Sequence, residues 1–215
     1  MNPIIKGIVS AWNSIIKSKP MPPKPQPYTE LYNKATIRPE YQGQVDLAIK
    51  KIINGQPRYE AVAKVLNNGI HWWFIGITHY MEAGMFKYPF SKHLHCGDDL
   101  TARTVHVPKG RPKFNPGHGV NPPSETNPYT WEESALDALS FMGYDKVKDW
   151  SLENCLILFE RFNGLGYKKR GVVNPYLFSF TTAYSKGKYV LDGKYDPEAV
   201  SKQPGCAALM KGLSV

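Results

Sequence analysis

Apolar positions recur at helical spacing along most of this chain and give way to short β-prone pieces between Lys92 and Val107. Near the start, Ile4, Ile5, Ile8, Val9, Trp12, Ile15 and Ile16 share one stripe, with Lys6, Ser10, Asn13, Ser14 and Lys17 opposite, which predicts an amphipathic helix over residues 1–19. Polar residues interrupt it too often for a secretory signal. Such a helix docks on the protein body or a partner, or lies at a membrane surface among lipid headgroups. Five prolines between Pro20 and Pro27 predict a polyproline II spacer over 20–27. A catalytic domain is then expected over 28–215.

Within that domain the periodicity predicts helices from Pro39 to Ile53, from Pro57 to Asn67 and from Ile70 to Glu82, with stop signals at Asn54-Gly55 and Asn67-Asn68-Gly69. Short β-prone pieces around Cys96-Gly97-Asp98-Asp99 predict a hairpin between Lys92 and Val107. Residues 108–129 are proline-rich and aperiodic, a long loop of the kind that is commonly functional. Thr130, with Glu133 three residues on, predicts a capped helix running to Met142. Ser151 opens another that ends at Asn163-Gly164. Short helices are expected at Pro197–Lys202 and Cys206–Lys211.

At 215 residues the chain is long enough for one sizeable core. Twenty-seven Lys and Arg against eighteen Asp and Glu give a net charge of +9, which suits an anionic partner such as a bacterial cell wall. The basic residues are scattered, densest at Lys168-Lys169-Arg170, and no nucleic-acid-binding motif accompanies them, so no nucleic-acid partner is expected. Cys96, Cys155 and Cys206 lack metal or disulfide-framework spacing. The longest apolar run is too short to span a bilayer, which takes about 20 residues.

The residue that carries most chemistry is Glu82, at the end of the apolar stretch IHWWFIGITHYM. Burial beside Trp72, Trp73 and Phe74 and the negative end of the helix dipole would both raise its pKa, as glycoside hydrolysis requires of its general acid. A hairpin folding back over the helix end would supply the second carboxylate from Asp98 or Asp99, with Thr101 and Thr104 orienting a water. An Asp-rich turn also forms merely to satisfy local amides. His93 and His95 alternate along a strand and are expected to line a sugar cleft. With Cys96, His106 and His118 they also make a weak zinc constellation, but no metal is expected. Glu160, in the apolar helix LENCLILFERFNG, is expected to form a structural ion pair with Arg103 or Arg161.

The run HLHCGDDLTARTVHVPKGRP, followed by TWEESALDAL, LFERFNGLGY, NPYLFSFTTAYSKGKYVLDG and AVSKQPG, resembles a family of bacterial and phage peptidoglycan hydrolases of the lysozyme superfamily over roughly residues 39–211. Asn163, Gly164, Gly166 and Tyr167 are also similar to the YNxGxG signature of lytic transglycosylases and goose-type lysozymes. The resemblance implies an α+β fold, a mostly helical lysozyme-like domain with a small β-hairpin or sheet flanking the active-site cleft. It further implies Glu82 as catalytic acid, Asp98 and Thr101 lining the site, and Asn163 and Tyr167 contacting saccharide. Arg103 and the two histidines are expected as further substrate contacts. Three departures stand out. Cys96 and Asp99 replace residues of the family's HNGDPL, the Glu82–Asp98 interval exceeds that of the shorter-spaced phage lysozymes, and residues 113–128 read as an insertion.

The expected activity is cleavage of the β-1,4 bond between N-acetylmuramic acid and N-acetylglucosamine by a monomer without cofactor. Peptidoglycan glycan strands are the partner. The enzyme would be made in the bacterial cytoplasm and act on the wall, as phage endolysins and virion-associated enzymes do. Three alternatives are a lytic transglycosylase on the same bond, a non-catalytic wall-binding protein, and a zinc-dependent wall amidase or peptidase using His93, His95 and His106.

Overall fold

The computed structural model describes residues 27–82, 90–113, 129–191 and 193–215. The amphipathic helix over 1–19, the proline spacer before Pro27 and most of the loop over 108–129 lie outside the described residues, as does His118. The fold is α+β and mostly helical, with one small antiparallel sheet among the described residues.

Helix α1 (Tyr28–Lys34) follows Pro27, and its first amides donate to a carboxylate from far along the chain: Tyr28 N to Glu153 Oε1 at 3.0 Å and Thr29 N to Oε2 at 2.6 Å. An anion at a helix N-terminus satisfies unpaired donors and complements the dipole. A 3₁₀ turn, Pro39–Tyr41, leads into α2 (Gln42–Asn54), and α3 (Gln56–Leu66) follows after Gly55.

Helix α4 (Trp72–Glu82) is the centre of the molecule. Every residue from Phe74 to Tyr80 is buried, Thr78 and His79 included, so this stretch is enclosed on all sides instead of carrying one wet face. Phe74 stacks on Phe159 with ring centroids 4.2 Å apart. A Cβ at Gly76 would come within 2.9 Å of both Ile52 and Tyr59, so the glycine is what lets α2 and α3 close on α4.

Helix α5 (Trp131–Phe141) begins with the expected capping box: Glu133 N donates to Thr130 Oγ1 at 3.2 Å and Thr130 N to Glu133 Oε2 at 2.8 Å. A 3₁₀ turn (Tyr144–Lys146) connects it to α6 (Leu152–Asn163), which stops at Gly164 with φ +85°. Two short helices come next, α7 (Gly166–Arg170) and α8 (Pro175–Phe178). Asn174 caps α8 by accepting from Tyr176 N at 2.9 Å, and Pro175 sits at the first helical position. Strands β1 (Lys188–Leu191) and β2 (Lys194–Asp196) pair antiparallel, Tyr189 opposite Tyr195, and α9 (Cys206–Gly212) closes the core.

Two expectations about local structure are corrected. Between Lys92 and Val107 there is a single bridge, Lys92 to Asp99, in place of a hairpin. His93, Leu94 and His95 are all buried in succession, which a half-wet strand with alternating faces cannot do. The two-stranded sheet lies instead at 188–196. Residues 197–202 are irregular instead of helical.

Candidate functional site

Glu82 occupies the last turn of α4, and the segment 93–99 returns over that helix end. The contact is direct: Gly97, with φ +77°, lies so close that a Cβ there would be 3.2 Å from the Glu82 carbonyl oxygen. On the other side stands α8. The Tyr176 hydroxyl donates to Glu82 Oε1 at 2.7 Å. Burial raises the Glu82 pKa to about 7, and the hydrogen bond from Tyr176 opposes part of that rise. Tyr176 itself is held well above the ordinary phenol range, first by burial and then by the neighbouring Glu82 carboxyl, so it remains a donor.

The environment that raises Glu82 is not the expected one. Trp72 and Trp73 begin the helix that Glu82 ends, roughly 15 Å away at 1.5 Å per residue. The carboxyl instead feels Tyr144, Cys96 and Cys206, each of whose pKa is raised in part by its charge.

Tyr176 also lines a cleft of about 400 Å³, together with Asn163, Tyr167, Tyr189, Lys188 and Lys202. Asn163 and Tyr167 arrive here from the end of α6 and from α7, as the NGLGY element implies. Tyr167 is fixed by accepting from Tyr189 N at 3.0 Å, and its ring meets Tyr189 edge-on at 5.1 Å. Gly166 makes room for the Tyr189 ring, which would be 3.2 Å from a Cβ at that position. Glu82 is not itself among the residues lining this polar, tyrosine-walled cleft; the Tyr176 hydroxyl joins its carboxyl, of pKa near neutrality, to a space of a size to hold a sugar. No family model, curated protein or solved structure matches the chain.

The segment carrying the other expected site residues is a cross-braced scaffold. Both Asp98 oxygens are occupied: Oδ1 accepts from His106 Nδ1 at 2.5 Å, and Oδ2 from Val105 N at 2.8 Å, His106 N at 3.0 Å and Cys96 Sγ at 3.3 Å. Burial works to raise this carboxyl, but the His106 and Val105 donors outweigh it and hold it well below the usual range. Asp98 thus shapes the loop as an anionic staple. Asp99 is mostly exposed and pairs with Lys92 at 2.6 Å. Thr104 is buried, donating to the Pro108 carbonyl at 2.6 Å and accepting from Arg111 N at 2.9 Å, so its hydroxyl is not free to orient a water. Thr101 is exposed, and Arg103, also exposed, donates from Nε to the Tyr129 hydroxyl at 3.0 Å.

His93 and His95 do not line the cleft. They are 0% and 7% exposed and converge on α5. His93 Nε2 lies 2.7 Å from the Ala102 carbonyl, which only accepts, so that nitrogen carries the proton and Nδ1 takes the Ser134 hydroxyl at 2.9 Å. His95 Nε2 is 2.7 Å from Asp137 Oδ2, which also receives Arg111 Nε at 2.8 Å. Ser134 and Asp137, one turn apart on α5, therefore pin the segment from His93 to Arg111.

Among the described residues no group of three or more His, Cys, Asp or Glu side chains is placed to hold a metal ion, and all three cysteines are free thiols. Glu160 is buried without the expected arginine: the Tyr28 hydroxyl hydrogen-bonds to it. Among the described residues no helix is long and apolar enough to cross a membrane.

Apart from Asn163 and Tyr167, sequence reasoning singled out none of the cleft residues, Tyr176 among them. The Asn-Pro-Tyr run carried a usable signal for Tyr176. Asn caps and Pro opens a helix, which fixes the following tyrosine in a first turn.

Proposed function

We propose that this chain is a peptidoglycan-degrading glycosidase of the lysozyme superfamily that cleaves the β-1,4 bond between N-acetylmuramic acid and N-acetylglucosamine. One observation carries the reading: Glu82, with a pKa raised to about 7, is hydrogen-bonded to Tyr176, a wall residue of the tyrosine-rich cleft. In this reading the Glu82 carboxyl gives its proton to the glycosidic oxygen as the C1–O bond breaks. The resulting carboxylate then takes a proton from the group that attacks C1. Asn163 and Tyr167 hold the glycan. The net charge of +9 favours adsorption to an anionic wall. Action on the wall from inside a lysing cell, or from a virion, fits this substrate.

A second reading has one observation in its favour. Asp98 is saturated with hydrogen bonds and Asp99 is paired with Lys92, so neither presents a free carboxylate to a water or to C1. A mechanism with one acid/base residue, in which the muramoyl 6-hydroxyl attacks C1 as in lytic transglycosylases, needs no second carboxylate. Wild-type protein is expected to clear a peptidoglycan suspension and Glu82→Gln to leave it turbid. Equal clearing by both would refute the assignment of Glu82.

A further inference from the structure

Among the described residues the cleft is lined by two lysines and by no acidic residue. Lys188 enters from β1, and Lys202 from the irregular segment before α9. Two neighbouring cations are already engaged. Lys186 pairs with Glu198 at 2.6 Å, and Arg170 donates to the Tyr189 hydroxyl at 2.8 Å while lying 4.7 Å from the Tyr195 ring centre. Lys188 and Lys202 have no ion-pair partner among the described residues. The acid opposite Lys188 in the strand register, Asp196, has turned its Oδ1 to the amides of Glu198 and Ala199 at 2.8 and 3.3 Å. A ligand entering the cleft thus meets two lysines that have no ion-pair partner among the described residues, beside aromatic rings.

We infer that Lys188 and Lys202 form an anion subsite that selects glycans whose muramoyl residues carry carboxylates over neutral N-acetylglucosamine polymers. This rests on the proposed glycosidase reading. Tyrosine rings and amides contact any N-acetylated sugar, whereas two uncompensated cations attract only a charged one. The carboxylate has two sources. It belongs to the peptide stem when the stem is present, and to the lactyl group itself once the stem has been removed and the amide hydrolysed.

The test compares wild type, Lys188→Gln/Lys202→Gln, and Lys188→Arg/Lys202→Arg on three substrates: intact peptidoglycan, peptidoglycan stripped of stems by an amidase, and a neutral N-acetylglucosamine oligomer. Lys50→Gln/Lys64→Gln, exposed on α2 and α3, controls for net charge. The Gln pair is expected to raise KM on intact wall roughly tenfold with kcat nearly unchanged, the Arg pair to restore it, and the control to match wild type. A lysine dependence on intact wall assigns the carboxylate there to the stem, since the lactyl group is then an amide; its persistence on stripped wall shows that the freed lactyl carboxylate also fills the subsite, and its loss restricts the subsite to the stem. Unchanged KM in the Gln pair, or wild type processing the neutral oligomer as well as wall glycan, overturns the subsite and leaves the glycosidase reading standing. Wild type that cleaves none of the three overturns both.

Discussion

The Tyr176 hydroxyl and the Glu82 carboxyl, 94 residues apart in sequence, meet at 2.7 Å where the last turn of α4 faces the first turn of α8. Two opposed effects act on one proton there. Burial keeps the carboxyl neutral up to about pH 7, and the phenol donor stabilises the ionised form. The pair thereby ties the buried end of the central helix to the wall of an open cleft.

That balance sets a pH profile. If Glu82 must be protonated to act, kcat/KM falls tenfold per pH unit above about pH 7. Tyr176→Phe removes a donor that favours the charged form, so the falling limb should move to higher pH, by about one unit for a hydrogen bond to a charged group. A pH–rate profile of both proteins measures this. A limb that stays in place or moves to lower pH contradicts the role given to Tyr176.

The same proton makes stability depend on pH. A carboxyl whose folded pKa is raised binds its proton more tightly when folded. Its favourable contribution is complete below the unfolded value near 4.5 and is lost as pH rises towards 7. Glu82→Gln keeps an acceptor for Tyr176 and removes the titration. The variant should therefore match wild type in urea unfolding near pH 4 and exceed it by about 2–3 kcal/mol at pH 8. Parallel pH dependence in the two proteins would show that Glu82 is not held neutral.

The segment over 93–111 should behave as scaffold. Asp98→Ala frees the Val105 and His106 amides, and Ser134→Ala strands the His93 imidazole and the Leu94 amide inside the protein. Each should cost about 1–3 kcal/mol in thermal unfolding. Because the Asp98 carboxyl is held below its usual range, its share is complete above about pH 4 and lost on further acidification. Activity should fall in step with stability. An Asp98→Ala protein as stable as wild type but inactive would return Asp98 to the chemistry.

Periodicity exposed the helices because a buried face recurs every three to four residues, and even the capping box of α5 was legible from Thr130 and Glu133. The reverse holds between Lys92 and Arg111. There the backbone is shaped by Asp98, Ser134 and Asp137 reaching across to it, contacts of long sequence separation that no local pattern encodes. Histidines at alternate positions suggested a wet face, whereas α5 supplied Ser134 and Asp137 as partners that let both be buried. The small sheet escaped notice because β1 and β2 span four and three residues, shorter than any reliable alternation. Glu82 stands out in the sequence because a lone carboxylate closing an almost wholly apolar stretch has few ways to be satisfied. Its partner Tyr176 does not, since pairing it requires knowing that α8 docks against the end of α4.

The most direct measurement is mass spectrometry of the muropeptides released from purified peptidoglycan by wild-type protein and by Glu82→Gln. Wild type should release disaccharide peptides ending in muramic acid. The ends are reducing if water attacks, and one water lighter, as 1,6-anhydro ends, if the muramoyl 6-hydroxyl does. Glu82→Gln should release neither. Disaccharide release by Glu82→Gln at the wild-type rate, or wild-type products cut only at amide bonds, would contradict the account.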